Sequence, residues 1–202
     1  MFLIAQDQVP RYRLKDISYG RIIVDYRPQK EEPNRTRLTV GVNLFFYAGY
    51  VSTTTVDITT EKLIINSTIY TPGARYTCCD IKSFYLGTPF IRYEYIKIYI
   101  DIIPEEIIME YNLINIAHNG YIYCEIWKGM YCLPKAGILA NHQLVRRLEP
   151  KGYSPCKHTP GLWRHKWVPI KFSLVVDDFR IKNVGKQHVD HLINSIQDNY
   201  QV

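Results

Sequence analysis

The sequence predicts an α+β fold, an antiparallel sheet with helices packed mainly on one face, and three observations predict it. Runs rich in β-branched and aromatic residues are separated by turn residues, as around Pro28, Pro33 and Asn34. Segments with apolar residues at helical spacing lie between and after those runs. No internal repeat and no low-complexity linker interrupts the 202 residues, 47% of them hydrophobic, so the chain can bury a substantial core.

In chain order, residues 21–26 and 37–46 read as two extended segments, a long hairpin with a basic tip. In ITTEKLIINSTIYT, Leu63, Ile64 and Ile69 fall at roughly helical spacing behind Thr59 and Thr60, which predicts a capped helix broken by Pro72-Gly73. ARYTCCDIKSFYL gives a short apolar strand ending at Asp80. PEEIIMEYNL puts Pro104 in a first helical turn, followed by two acids suited to a helix start. GYIYCEIWKGMYCL alternates like a strand or a hairpin. Over 135–149, Ile138, Leu139, Val145 and Leu148 line one side of a helix and Asn141, His142, Arg146 and Arg147 the other. GLWRHKWVPIKFSLVVDDFRIKN supplies three short strands. Val189, Leu192, Ile193 and Ile196 then mark a closing helix at i, i+3, i+4 and i+7.

The net charge is +6 and the pI about 9.0, and the excess is localised. Between 135 and 171 eight Lys and Arg, among them Lys135, Arg146, Arg147, Lys151, Arg164 and Lys166, face the single acid Glu149. Tyr153, Trp163 and Trp167 are interleaved with them, the mixture a nucleic-acid surface uses for stacking and phosphate contact; a solvated basic face over ordinary core aromatics has the same composition. Five cysteines without a CxxC pair argue against a disulfide framework or a zinc site and fit a reducing compartment. The start, MFLIAQDQVP, lacks the charge and the apolar core of a signal peptide, and no run reaches membrane-spanning length. The expectation is an intracellular protein, cytoplasmic or nuclear, not secreted and without a membrane partner.

FSLVVDDFRIK places two aspartates, Asp177 and Asp178, between two apolar runs. Alone, such a pair commonly just turns a hairpin. A third carboxylate changes the reading, because clustered carboxylates repel unless a cation or a proton neutralises them, and hard divalent cations take oxygen ligands. Asp80, 97 residues before Asp177 and itself at a strand end, is that candidate. Nucleotide addition uses such a set to hold two cations about 3.5–4 Å apart, one lowering the pKa of a 3′-hydroxyl and one stabilising the leaving oxygen.

CDIKSFYLGTP, KGMYCLPKAGILAN and FSLVVDDF resemble motifs A, B and C of the reverse transcriptases of LTR retrotransposons, the copia type closest, and RIIVDYRPQKEEPNRTRLTVGVNL resembles the paired strands of their fingers. The resemblance covers nearly the whole chain. It implies a polymerase fold, fingers over 1–75 and palm over 76–202 with 88–125 contributing to the fingers, and an RNA-directed DNA polymerase acting on an RNA or DNA template-primer and a dNTP. It implies Asp80 and Asp177 as principal ligands of Mg2+ or Mn2+, with Asp178 assisting. Tyr85 falls at the family's aromatic gate under the nucleotide sugar; a core aromatic is the plain alternative. Arg35, Arg37 and Lys30 are suited by position to grip the triphosphate, Arg bidentately and Lys as a point charge. Arg146, Arg147, Lys151, Arg164 and Lys166 are the expected nucleic-acid contacts.

The departures are specific. Relatives usually carry Gly where Cys132 stands, Gln at Lys135 and Gly at Arg180, and often Tyr at Val175. The chain ends at NYQV after the last expected palm helix, so the thumb is expected to be missing and the copy truncated. Two other readings stay open at this point: an inactive remnant that at most binds nucleic acid, and a scaffolding domain.

Overall fold

The chain's computed structural model describes residues 1–29, 31–41 and 52–202. In chain order the strands are β1 (Phe2–Ile4), β2 (Ser18–Tyr26), β3 (Asn34–Val40), β4 (Ala74–Asp80), β5 (Pro89–Tyr99), β6 (Tyr121–Lys128), β7 (Tyr153–Pro155), β8 (Leu162–His165), β9 (Ile170–Val175) and β10 (Asp178–Val184). The α-helices are α1 (Ile58–Ile69), α2 (Glu105–Glu110), α3 (Pro134–Leu148) and α4 (Lys186–Gln197). Two mainly antiparallel sheets with helices make the class α+β. The chain divides into two units, Met1–Val51 with Tyr85–Ala136, and Ser52–Phe84 with Gly137–Val202.

The first unit holds a sheet of order β1-β6-β5-β2-β3, antiparallel except where β2 meets β5 at Ser18↔Ile96. Its hairpin is shifted from the expected one. β2 and β3 pair from Gly20↔Val40 to Tyr26↔Asn34, and Arg27 N donates to Pro33 O at 2.7 Å across the turn. Arg35 and Arg37 therefore stand inside β3, opposite Asp25 and Ile23, and not at a basic tip. Lys30 and the expected strand residues 42–46 lie outside the described residues. β5, eleven residues long, escaped the sequence reading because Glu94, Tyr95 and Ile96 are buried in succession, which erases the alternation of a one-sided strand. Glu94 is buried there because Arg13 donates to it at 2.5 Å. The alternating segment after Gly120 forms one strand, β6, along β5.

The second unit is a meander, β4-β10-β9-β8-β7, antiparallel throughout. Phe179, Ile181, Phe172 and Trp163 are buried, with Phe172 stacked on Trp163 at 5.4 Å and against Phe179 at 5.2 Å. Tyr153 joins them and its hydroxyl meets His191 Nδ1 of α4 at 2.7 Å. The alternate residues of β10, Asp178, Arg180 and Lys182, point to the opposite face, and α1 lies there: Ser173 Oγ and Tyr76 Oη donate to Glu61, and Lys182 Nζ donates to Ser67 O at 2.9 Å. Helices thus cover both faces of this sheet, against the one-face expectation. The periodicity of α1 concealed this, because its sheet-facing side carries the buried carboxylate of Glu61 in place of an apolar residue. Its cap is Asp57, which accepts from Thr60 N at 2.9 Å, two residues before the first of the threonines expected to do so.

Candidate metal centre

Asp80 ends β4, Asp178 begins β10, and the strand register sets the two directly opposite each other. Asp178 also pairs with Val175, so β9 and β10 are joined by two residues only, Val176 and Asp177. Val176 has φ 64°. Two-residue hairpin loops require a positive φ, which Gly supplies without cost, while a β-branched residue there stores about 1–3 kcal/mol. Asp177 O accepts from Ile81 N at 3.1 Å, which ties the loop to the residue after Asp80. One carboxylate oxygen each from Asp80, Asp177 and Asp178 lies within 4.8 Å of the others.

Asp177 is half-buried and the other two are exposed. Three carboxylates at this separation offer only hard oxygen donors, a set that fits Mg2+, Mn2+ or Ca2+ and suits no soft metal. Asp80 and Asp178 oppose like charges at a position where strand pairs favour opposite ones, a repulsion that a divalent cation bound there would relieve. Arg180 stands two residues beyond Asp178 on the same face, its Nη1 3.9 Å from the buried Glu61. Tyr76, also bonded to Glu61, has its phenol pushed far up, chiefly by burial.

The expected nucleotide contacts fall in the other unit. Tyr85 is half-buried and meets Tyr131 edge-on at 6.3 Å, and the Arg37 guanidinium sits over the Tyr131 ring at 5.6 Å. Arg37 Nε is buried without an acceptor, an unsatisfied donor beside the Tyr131 ring. Arg35 lies across from Asp25, whose carboxyl is held below its usual range by the hydrogen bond from Arg27 first and by the charges of Arg37 and Arg35 after it. Cys132 is exposed at φ 69°, in the region Gly favours, and Lys135 lies in the first turn of α3. A Cβ on Gly129 would lie 2.2 Å from Tyr85 O, so glycine is what lets these two segments approach.

The basic run is no uniform face. Arg147 covers the Tyr200 ring at 4.6 Å and Lys151 pairs with Asp198 at 2.9 Å, while Arg146 and Arg164 are exposed and Lys166 lies over Trp167. Sequence reasoning passed over Val176, Tyr131, Glu61 and Lys182. Only Val176 carried a local signal, a β-branched residue in the two-residue turn that Asp-Asp had already marked. The chain matches no known protein-family model and no curated protein.

Proposed function

We propose that the chain is a reverse transcriptase domain of the LTR-retrotransposon type, an RNA-directed DNA polymerase whose first unit serves as fingers and whose second serves as palm. The observation that carries this reading is the meeting of Asp80 with Asp177 and Asp178, residues 97 apart in sequence, in a group whose oxygens lie within 4.8 Å of one another. Mg2+ or Mn2+ held there would supply a lowered pKa for the primer 3′-hydroxyl and positive charge at the leaving oxygen. Asp177 is held through its backbone to Ile81, the residue after Asp80. By the resemblance, Arg37 would meet the triphosphate and Tyr85, which meets Tyr131 edge-on, would be the ring that limits space under the sugar. Among the described residues no helix is long and apolar enough to cross a membrane.

The test is primer extension on an RNA template with Mg2+ or Mn2+, wild type against Asp177→Asn. Extension that requires Asp177 supports the reading; extension indifferent to it contradicts the reading. A second reading, an inactive nucleic-acid-binding remnant, is favoured by one feature: Arg180, a cation two residues from Asp178 where relatives keep Gly. Oligonucleotide binding without extension, and without divalent-ion binding in calorimetry, would select it.

A further inference from the structure

The end of β8, β9 and β10 distant from the three aspartates carries a second constellation. Arg164 is directly opposite Lys171, and Lys171 is directly opposite Lys182, so three cations form one row across three adjacent strands. Like charges directly opposed on a sheet repel, and this row keeps two such contacts side by side. Lys182 is fixed by three acceptors, Ser67 O at 2.9 Å, Ser67 Oγ and Thr71 Oγ1 at 2.8 Å, and its pKa is lowered by burial first and by Lys171 second. Arg164 and Lys171 are exposed, and among the described residues neither has an acidic partner within ion-pair distance.

The row lines a cavity of about 340 Å³ that contains no carboxylate, with Thr71 and His165 at its polar wall. Arg164 and His165 also line an adjoining cleft of about 450 Å³, where Trp167 stands 73% exposed with Lys166 over its ring at 5.0 Å. His165 holds that Trp in place: its Nδ1 accepts from Trp167 N at 3.1 Å and from Val168 N at 3.2 Å. Exposed cations beside an exposed, backbone-anchored indole make the pairing of phosphate contact and base stacking that single strands require. Along β10, Lys182 is four residues from Asp178, about 14 Å of strand, and α1 covers the stretch between them through Glu61 and Ser67. The row is therefore a site separate from the aspartates.

We propose that Arg164 and Lys171, with the charge of Lys182 fixed beside them, form a phosphate-binding row for a single-stranded nucleic acid, with Trp167 as its base-stacking platform. This site does not depend on the polymerase reading, since it needs neither metal nor the aspartates. The experiment is anisotropy of a labelled oligothymidylate, titrated with the full chain in EDTA over a series of salt concentrations. An abasic oligomer of equal length is titrated in parallel. Lys171→Glu and Arg164→Glu should each weaken binding about tenfold or more, and Lys171→Gln should lower the salt slope by roughly one contact. Trp167→Ala should weaken the oligothymidylate several-fold and leave the abasic strand unchanged. Asp177→Asn should bind as wild type does, which separates failure here from failure of the catalytic reading. Wild-type affinity in folded Lys171→Glu and Arg164→Glu proteins, or equal loss of both oligomers in Trp167→Ala, would overturn the proposal, as would tighter binding of a duplex than of the single strand.

Discussion

Asp80 and Asp178 face each other across the β4–β10 ladder, two carboxylates in direct register at the strand end where Asp177 turns the chain. That arrangement costs stability when no cation is present. Asp80→Asn removes one charge at nearly constant shape and should stabilise the metal-free protein by a few tenths of a kcal/mol, up to about 1. The same substitution should abolish the rise in melting temperature that Mg2+ or Mn2+ gives the wild type, a rise worth about 2.7 kcal/mol at a hundredfold excess over Kd. Thermal melts with EDTA and with each ion read both effects. A variant less stable in EDTA yet still raised by the ion would show that Asp80 is structural and no ligand.

Val176 is the second expected source of strain. Relieving its φ of 64° recovers about 1–3 kcal/mol, and glycine gives back part of that through a freer unfolded chain. Val176→Gly should therefore stabilise the protein by about 1 kcal/mol in urea unfolding. It should also loosen Asp177 and weaken divalent-ion binding. Destabilisation would mean that the isopropyl group makes contacts worth more than the strain.

Much of this architecture was legible in the residues. The strand ending at Asp80, the β9–β10 hairpin and α4 follow from alternation, Asp-Asp turn chemistry and the i, i+3, i+4, i+7 pattern of Val189, Leu192, Ile193 and Ile196. The metal candidates were named because Asp80 ends an apolar strand and, with the Asp-Asp turn, falls in the order of motifs A and C of the family the chain resembles. The face of α1 was not legible. Its sheet contact is a hydrogen-bonded carboxylate, and hydrophobic periodicity is blind to that. The cationic row was hidden for another reason: Lys171 and Lys182 are eleven residues apart and become neighbours only through the register of β9 and β10, which a single sequence fixes poorly.

Glu61 tests the role of that buried carboxylate. It is 3% exposed, and it is the acceptor for Ser173, itself fully buried. Glu61→Ala leaves the Ser173 and Tyr76 hydroxyls without their acceptor and should cost about 3 kcal/mol, whereas Ser173→Ala should cost about 1. The double variant should cost less than the sum, since the second change removes a group the first had stranded. Strict additivity in urea melts would mean that the two side chains do not depend on each other.

His165 gives the chain a pH dependence of definite sign. Its pKa is lowered below the usual histidine value, by desolvation first; the contact with Lys151 O opposes this, and the charges of His191 and His188 add smaller lowering effects. The geometry demands the neutral ring, because Nδ1 accepts from Trp167 N and Val168 N and a protonated nitrogen cannot. In the unfolded chain the same histidine takes up a proton near pH 6.5. Between that value and the lower folded pKa the unfolded state binds more protons, so stability rises with pH there. The contribution should be complete above about pH 6.5, decline as pH falls towards the folded pKa, and level off below it. His165→Asn keeps an acceptor for the two backbone N–H groups and cannot titrate, so urea midpoints measured from pH 8 to pH 5 should fall less steeply than for wild type. Identical slopes would assign the acid sensitivity to another group and show that the Trp167 turn survives protonation of His165.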